Sequence, residues 1–250
     1  MKERLGLLGP DAARTPRWEG RIIRQGLLTM ETCWRAFDAV APGDFCEVSP
    51  RPDGTTGIIV GDAPGWGAEA ARMAGKWSQM AKAELRAGQA PEDVLALLDQ
   101  EVMSEGPDLL ATALCLVVDP DSGIAEVSNA GHLPPLLVGD RKVREVLISA
   151  DGALGIGGNH RVGSFSIGGD DVLYLVTDGM VERHDLAFSS GWDVLVDAAR
   201  GLSGTQACAS QLARVVTERL GGPDDDAMAV SLRLSGALFG SGTDASVEEV

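Results

Sequence analysis

Residues 57–71, GIIVGDAPGWGAEAA, change from a sequence pattern typical of a strand to one typical of a helix. The apolar run that ends at Val60 favours a buried strand, and Asp62 follows where that strand would leave its sheet. Gly65 and Gly67 then let the backbone approach a ligand closely, and the N-terminus of the next helix presents free N–H groups to an anion. A plain turn into a helix is the more common explanation for such a loop when it is taken alone.

Two further acidic positions share the strand-end context of Asp62. Asp178 comes directly after the apolar run 172–177, and Asp224 lies just before the last apolar strand. Each position also has an ordinary structural explanation, since Asp-Gly pairs are common in turns and Asp62 could cap the following helix. The three carboxylates become a functional signal only if the fold brings them together.

Carboxylates that met in one cleft would need a cation. Two like charges ~4 Å apart repel by roughly 4 kcal/mol at an effective dielectric constant of about 20. All-oxygen ligation favours Mg²⁺ or Mn²⁺ over zinc, and the sequence offers no nearby Cys/His set for zinc. Two such ions that share one carboxylate can lower the pKa of a water and clamp a phosphoryl group for in-line attack. This arrangement would hydrolyse phosphate esters with water, rather than a side chain, as the nucleophile.

Composition argues against several classes of function. With 250 residues, 44% of them hydrophobic, the chain can bury a sizeable core, most simply as one domain. A formal net charge of −16 repels nucleic acids and anionic membrane surfaces. The longest apolar stretch, 109–118, is about half of the ~20 residues that a membrane helix needs. Four widely spaced cysteines without a CxxC pair indicate a reduced, cytoplasmic protein.

The pattern along the chain divides it into three segments. Residues 1–25 lack periodicity and are predicted to be a loose leader, residues 26–235 form the domain, and the polar residues 236–250 are predicted to be a disordered acidic tail. Runs of strands with helices inserted as blocks favour an α+β layered fold over a βαβ fold. The predicted strands are 27–37, 45–49, 56–60, 110–118, 125–129, 133–138, 143–148, 162–167, 172–177 and 227–234, and the predicted helices are 68–87, about 91–102 and about 205–220.

Five segments resemble, in order, the signature motifs of SpoIIE-type PP2C serine/threonine phosphatases of the RsbU/RsbX-like branch. They are PGDFCE at 42–47, GDAPGWGAEAA at 61–71, LATA at 110–113 with NAGHLPP at 129–135, LVTDGMVE at 175–182 and DDDA at 224–227. The resemblance covers most of the chain. It implies an α+β, PP2C-like αββα sandwich of two mainly antiparallel sheets flanked by helix pairs.

The resemblance also implies two Mn²⁺ or Mg²⁺ ions in a cleft between the sheet ends. The implied ligands are Asp62, which bridges both ions, the Ala63 backbone carbonyl, Asp178, Asp224 and, directly or through water, Asp44. Asp225 is the alternative to Asp224, since either residue of the triple Asp fits the register of the motif.

A substrate or phosphate loop is implied at Gly65 and Gly67, with His132 nearby. His132 has an alternative, structural role as a hydrogen-bond partner within its own turn. Trp66 stands where the family motif has His. The resemblance therefore supports metal binding more strongly than turnover.

The implied substrate is phosphoserine or phosphothreonine on a STAS-type anti-sigma-factor antagonist. Its dephosphorylation frees that protein to capture an anti-sigma kinase in a partner-switching pathway. With little chain ahead of residue 42 for a sensor domain, regulation by a separate partner or by homodimerisation is predicted.

Two alternatives to the protein phosphatase function stay open. Trp66 favours a pseudophosphatase that sequesters its partner without turnover, and the same metal site could serve a hydrolase of small phosphate esters.

Overall fold

The computed structural model describes residues 18–37, 41–140, 142–148, 152–202 and 207–235. The strands are β1 (Glu19–Gln25), β2 (Leu28–Arg35), β3 (Asp44–Pro50), β4 (Thr56–Asp62), β5 (Thr112–Val118), β6 (Ile124–Ala130), β7 (Leu136–Gly139), β8 (Lys142–Glu145), β9 (Val162–Ser166), β10 (Val172–Val176) and β11 (Ala227–Leu234). The helices are α1 (Gly67–Ala87), α2 (Pro91–Glu105), α3 (Phe188–Gly201) and α4 (Ala209–Leu220), and a single 3₁₀ turn spans Asp178–Met180.

Two antiparallel sheets form the centre of the fold. The six-stranded sheet has the order β1-β2-β11-β10-β7-β8, and the five-stranded sheet has the order β3-β4-β5-β6-β9. One apolar core lies between the sheets, a second joins α1 and α2 to the five-stranded sheet, and a third joins α3 and α4 to the six-stranded sheet. The predicted α+β, PP2C-like αββα sandwich is confirmed.

Strands at the centre of the sandwich are apolar on both faces because both faces are covered. In β4, Ile58 and Val60 pack into the core between the sheets, whereas Ile59 packs beneath α1 and α2. Alternate residues of β10 divide between two cores in the same way. This two-sided burial explains the continuous apolar runs that lead to Asp62 and Asp178.

Two elements differ from the sequence prediction. β1 lies inside the predicted leader, 1–25, and pairs along its whole length with β2, so the prediction is wrong for residues 19–25. α3 was not predicted at all. Residues 1–17 of the leader and the predicted tail, 236–250, lie outside the described residues. Within the described ranges, no helix combines the length and the apolar character needed to cross a membrane.

Strand register brings the predicted site residues to one edge of the sandwich. In the five-stranded sheet, Asp44 lies opposite Asp62, which in turn lies opposite Thr112. In the six-stranded sheet, Thr177 follows β10 directly. Its hydroxyl donates a 2.8 Å hydrogen bond to Asp44 on β3, so the ends of the two sheets meet at this edge.

Candidate metal centre

Asp44 is the most deeply buried carboxylate of the candidate centre, with 4% of its surface exposed. The Thr177 hydroxyl accepts the Met228 N–H at 2.8 Å and donates its own proton to Asp44 Oδ2, which fixes the orientation of the carboxylate. The other oxygen, Oδ1, is buried and has no hydrogen-bond partner among the residues that the structure describes. An unsatisfied carboxylate oxygen in this position is costly, and a bound cation would satisfy it.

Asp62, the last residue of β4, lies between two neighbouring strands and is partly exposed. The pKa of its carboxyl is raised to about 8, and burial is the largest cause. The negative charges of Asp178 and Asp225 add to that effect. Asp62 is therefore surrounded by other acidic groups, as a bridging metal ligand would be.

Asp178 opens the 3₁₀ turn that follows β10. Burial raises the pKa of its carboxyl to about 6, and the charges of Glu182 and Asp225 contribute next. The turn brings Glu182 back towards Asp178, since the Glu182 N–H donates to the Asp178 carbonyl at 2.7 Å. Glu182 was not singled out from the sequence, although it lies four residues after Asp178, the spacing of one helical turn.

These interactions define one group of acidic residues, which we call the carboxylate cluster: Asp44, Asp62, Asp178, Glu182 and Asp225. The pKa of Asp44 also lies well above its usual range, because of burial first and the Asp62 charge second. These raised pKa values come first from burial and then from repulsion between the charged forms of neighbouring carboxyls. A divalent cation at the cluster would replace this repulsion with attraction.

Asp224, the predicted ligand, is engaged outside the cluster. Its Oδ2 accepts the His184 backbone N–H at 3.0 Å and lies 3.0 Å from His184 Nδ1. These contacts with His184 lower the pKa of the exposed Asp224 carboxyl. Asp225, by contrast, raises the pKa of both Asp62 and Asp178. The geometry therefore favours Asp225, the alternative that the sequence left open, and the choice between the two residues stays a prediction.

Asp226 is buried behind the cluster and has a structural role that the sequence did not reveal. Its two carboxylate oxygens accept the N–H groups of Phe37 and Gly43, each at 2.7 Å. Gly43 also accepts the Ala63 N–H at 3.2 Å, and a Cβ added at Gly43 would lie 2.9 Å from the Ala63 carbonyl oxygen. Asp226 thereby holds together the start of β3, which carries Asp44, and the buried Ala63 whose carbonyl was predicted to bind a metal.

Glycines build the loop between Asp62 and α1. Gly65, with φ 84°, and Gly67, with φ 80°, both adopt the left-handed conformation that favours glycine. Trp66 lies between them, precedes α1 and is 69% exposed. Trp66, at the N-cap position, makes no capping hydrogen bond through its side chain, so the first N–H groups of this helix stay available, and the predicted phosphate loop stays a prediction.

His132 contacts Thr112, the residue that lies opposite Asp62 in the neighbouring strand. It is 7% exposed, and its Nδ1 lies 2.9 Å from the hydroxyl of Thr112, which is opposite Asp62. The Asn129 side chain accepts the His132 N–H at 2.8 Å and donates to its carbonyl at 3.0 Å. Burial lowers the pKa of the imidazole to about 4, so the ring is neutral near pH 7. The geometry favours the structural alternative for this residue over phosphate binding.

The donor chemistry of the cluster fits hard divalent cations. Across the described part of the chain, no three His, Cys, Asp or Glu side chains converge closely enough to form a ready-made cage. The unpartnered Asp44 Oδ1 and the all-oxygen donor set are what Mg²⁺ or Mn²⁺ would require.

Known proteins share this architecture. Residues 52–235 match the family described as Stage II sporulation protein E (SpoIIE). The RsbU and RsbW domains of a Mycobacterium tuberculosis protein share 26% identity with this chain, with a TM-score of 0.73 over 80% of this chain and 57% of that one.

Two further structures share the fold at lower identity. The PP2C phosphatase domain of SpoIIE from Bacillus subtilis, solved with a fragment of its regulatory domain, has a TM-score of 0.70 at 16% identity, covering 88% of this chain and 63% of that one. RsbX in complex with magnesium has a TM-score of 0.67 at 13% identity, covering 86% of this chain and 100% of that one. This chain thus spans less than two thirds of the first two structures.

Proposed function

This chain belongs to the SpoIIE family of PP2C-type phosphatases, and on that basis we propose that it hydrolyses phosphoserine or phosphothreonine on a regulatory protein with the aid of two Mn²⁺ or Mg²⁺ ions. One observation carries the proposal. Asp44 and Asp62 lie directly opposite each other at the edge of the sandwich, the pKa of each is raised, and Asp44 Oδ1 is buried without a partner. A divalent cation resolves all three features at once.

The cluster supplies ligands at different depths. Asp44 lies at the bottom, Asp62 and Asp178 are intermediate, and Asp225 is exposed at the mouth. We assign these four carboxylates, with the Ala63 carbonyl, to the metal ions. When bound, such ions polarise a phosphoryl group and lower the pKa of water.

The remaining residues orient and support the centre. Thr177 fixes the Asp44 carboxylate through its hydroxyl, and Asp226 fixes the backbone that carries Asp44. The uncapped N-terminus of α1 and the Gly65–Gly67 loop offer N–H groups to the phosphoryl oxygens. Together these contacts would hold a phosphate ester against the metal ligands.

The proposed substrate protein rests on a solved relative, and the proposed location rests on the cysteines of the chain. A solved relative carries RsbU and RsbW domains, which supports a STAS-type anti-sigma-factor antagonist as substrate in a partner-switching pathway. All four cysteines are free thiols, which supports a cytoplasmic location. Homodimerisation stays a prediction, to be tested by native mass measurement.

Phosphate release from phosphorylated STAS proteins of the same organism tests the proposal. We expect release that requires Mn²⁺ or Mg²⁺, stops with chelator, and falls by about a hundredfold or more in Asp62→Ala, since a ligand is lost. Asp121→Ala is the matched control, because this exposed aspartate lies in the turn before β6, at the opposite end of the sheet. Turnover at the wild-type level in Asp62→Ala, or in excess chelator, would contradict the proposal.

The same experiment addresses the two alternatives. A pseudophosphatase would bind metal in a calorimetric titration without releasing phosphate, and it gains no support from the comparisons. A hydrolase of small phosphate esters would turn over an aryl phosphate but not the phosphorylated proteins. Competition between a phosphorylated protein and an aryl phosphate distinguishes this small-ester hydrolase from the proposed protein phosphatase.

A further inference from the structure

A cavity of about 380 Å³ opens beside the carboxylate cluster. Glu182 and Asp225 belong to both the cluster and the cavity wall, so the two sites are continuous. Its volume lies at the lower end of the range for pockets that bind small ligands or single side chains (roughly 300–1,000 Å³). Of the residues that line the cavity, the metal centre proposed above uses only Asp225 as a ligand.

The wall of the cavity is built in advance by hydrogen bonds. The buried Arg183 guanidinium donates to the carbonyls of Gly179 at 3.0 Å and Gly221 at 3.2 Å, which ties the turn after β10 to the end of α4. The Leu186 N–H donates to the Arg183 carbonyl at 3.2 Å and closes a tight turn. The contact of His184 with Asp224 fastens the same turn to the segment before β11. A ligand would therefore enter a pocket that already has its shape.

Two of the residues that line the cavity are large and hydrophobic. Leu186 is 37% exposed and Phe188 is 42% exposed, although both are large hydrophobic side chains beside a strongly charged site. Phe188 is stacked on Trp192, with ring centroids 6.2 Å apart and an angle of 15° between the planes. The aromatic ring is thus supported from behind while another part of its surface stays exposed.

Charge complementarity decides the kind of side chain that this cavity would take. Metal ions at the cluster would offset the charges of Glu182 and Asp225, and the Asp224 carboxylate lies 3.0 Å from His184 Nδ1. Leu186 and Phe188 then supply the exposed apolar surface of the cavity. A residue within three positions of a phosphoserine reaches about 10 Å along an extended chain, far enough to enter a cavity that adjoins the cluster.

We propose that this cavity binds an apolar side chain close in sequence to the phosphorylated residue of the substrate protein, and that Leu186 and Phe188 determine this specificity. The inference rests on the proposed phosphatase function and adds a sequence preference to it. Small phosphate esters have no flanking chain, so the cavity contributes nothing to their hydrolysis.

Alanine-based peptides with one central phosphoserine test the inference, together with a set in which a single leucine moves through the flanking positions. With Mn²⁺ and the full chain, one leucine position should raise kcat/KM about tenfold over the all-alanine peptide. Leu186→Ala should abolish this preference and leave turnover of para-nitrophenyl phosphate unchanged, whereas Leu186→Met should keep most of it. Ile124→Ala is the control, because Ile124 is 49% exposed at the far end of its sheet.

Binding of the same peptides, measured by fluorescence anisotropy, separates failure of the inference from failure of the function. If no phosphate is released but a leucine position is preferred in binding and the preference is lost in Leu186→Ala, the cavity is assigned correctly and the phosphatase function is not. Equal kcat/KM and equal binding for all peptides, or a preference that survives Leu186→Ala, would overturn the inference.

Discussion

At the scale of single residues, the triple aspartate 224–226 shows how neighbours in sequence acquire different chemistry. Asp224 contacts His184 outside the cluster. The charge of Asp225 contributes to the raised pKa of Asp62 and of Asp178. Asp226 accepts two backbone N–H groups in the interior. The sequence located this acidic segment and favoured Asp224 as the ligand, with Asp225 as the alternative. The contact that now favours Asp225, between Asp224 and His184, joins residues 40 positions apart in the chain.

This difference predicts unequal effects of two otherwise matched substitutions. Asp225→Asn should lower the affinity for Mn²⁺ at least about tenfold, because a charged ligand is lost from the cluster. Asp224→Asn should change it much less, since its carboxylate is engaged by His184. Isothermal titration calorimetry on both variants measures the two effects. Equal losses, or a greater loss in Asp224→Asn, would restore the assignment first made from the motif.

Helices and strands were predictable where their buried residues recur with the period of a helix or a strand. α1 was predicted at 68–87 and is observed at Gly67–Ala87, because its apolar stripe and flanking glycines are both local signals. β1 was missed because it lies at a sheet edge with most residues exposed, so its side chains do not alternate in polarity. α3 was missed although its apolar residues have helical spacing, because its N-terminus lacks a side-chain cap and Gly191 lies in its first turn.

The 3₁₀ turn that carries Asp178 depends on close packing against the segment before β11. A Cβ added at Gly179 would lie 1.9 Å from the Asp226 carbonyl oxygen. Gly179→Ala should therefore displace Asp178 from the cluster, destabilise the protein by roughly 2 kcal/mol or more, and weaken Mn²⁺ binding.

Gly75→Ala is the control for this substitution. Gly75 lies exposed within α1 and an added Cβ there would meet nothing within 4 Å, so this change should stabilise the protein by about 0.5–1 kcal/mol. Chemical denaturation of both variants supplies the comparison. A Gly179→Ala variant as stable as the wild type would show that the turn can move without cost.

At the scale of the whole molecule, the fold makes an unfavourable electrostatic arrangement at one edge of an otherwise well-packed sandwich. Three apolar cores hold the sheets and helices in place, while the sheet ends converge on buried or partly buried carboxylates. The sequence predicted this architecture through ordered motifs. It could not predict the register and turns that bring Glu182 and Asp225 beside Asp62, since those depend on contacts between distant segments.

Burial of these carboxyls, together with their mutual repulsion, predicts that the metal-free protein is more stable at mildly acidic pH. The pKa of Asp62 is raised to about 8 and that of Asp178 to about 6, whereas both titrate near their ordinary value of about 4 in the unfolded chain. Between about pH 4 and pH 8 the folded state thus binds more protons than the unfolded state, so stability falls as pH rises through this window.

Thermal unfolding in chelator should show this fall between about pH 5 and pH 8.5, and Asp62→Asn should reduce it. Added Mn²⁺ should raise the melting temperature most at the upper end of that range, where the ligands are ionised. A melting temperature in chelator that rises with pH across this window would contradict the assigned electrostatics.

Calorimetric titration of the metal-free full chain with Mn²⁺ shows whether the carboxylate cluster binds divalent cations. We expect about two ions per chain, with binding strongly weakened in Asp62→Asn and unchanged in the distant control Asp121→Asn. Absence of saturable Mn²⁺ and Mg²⁺ binding, or binding that Asp62→Asn leaves intact, would rule out the proposed metal centre.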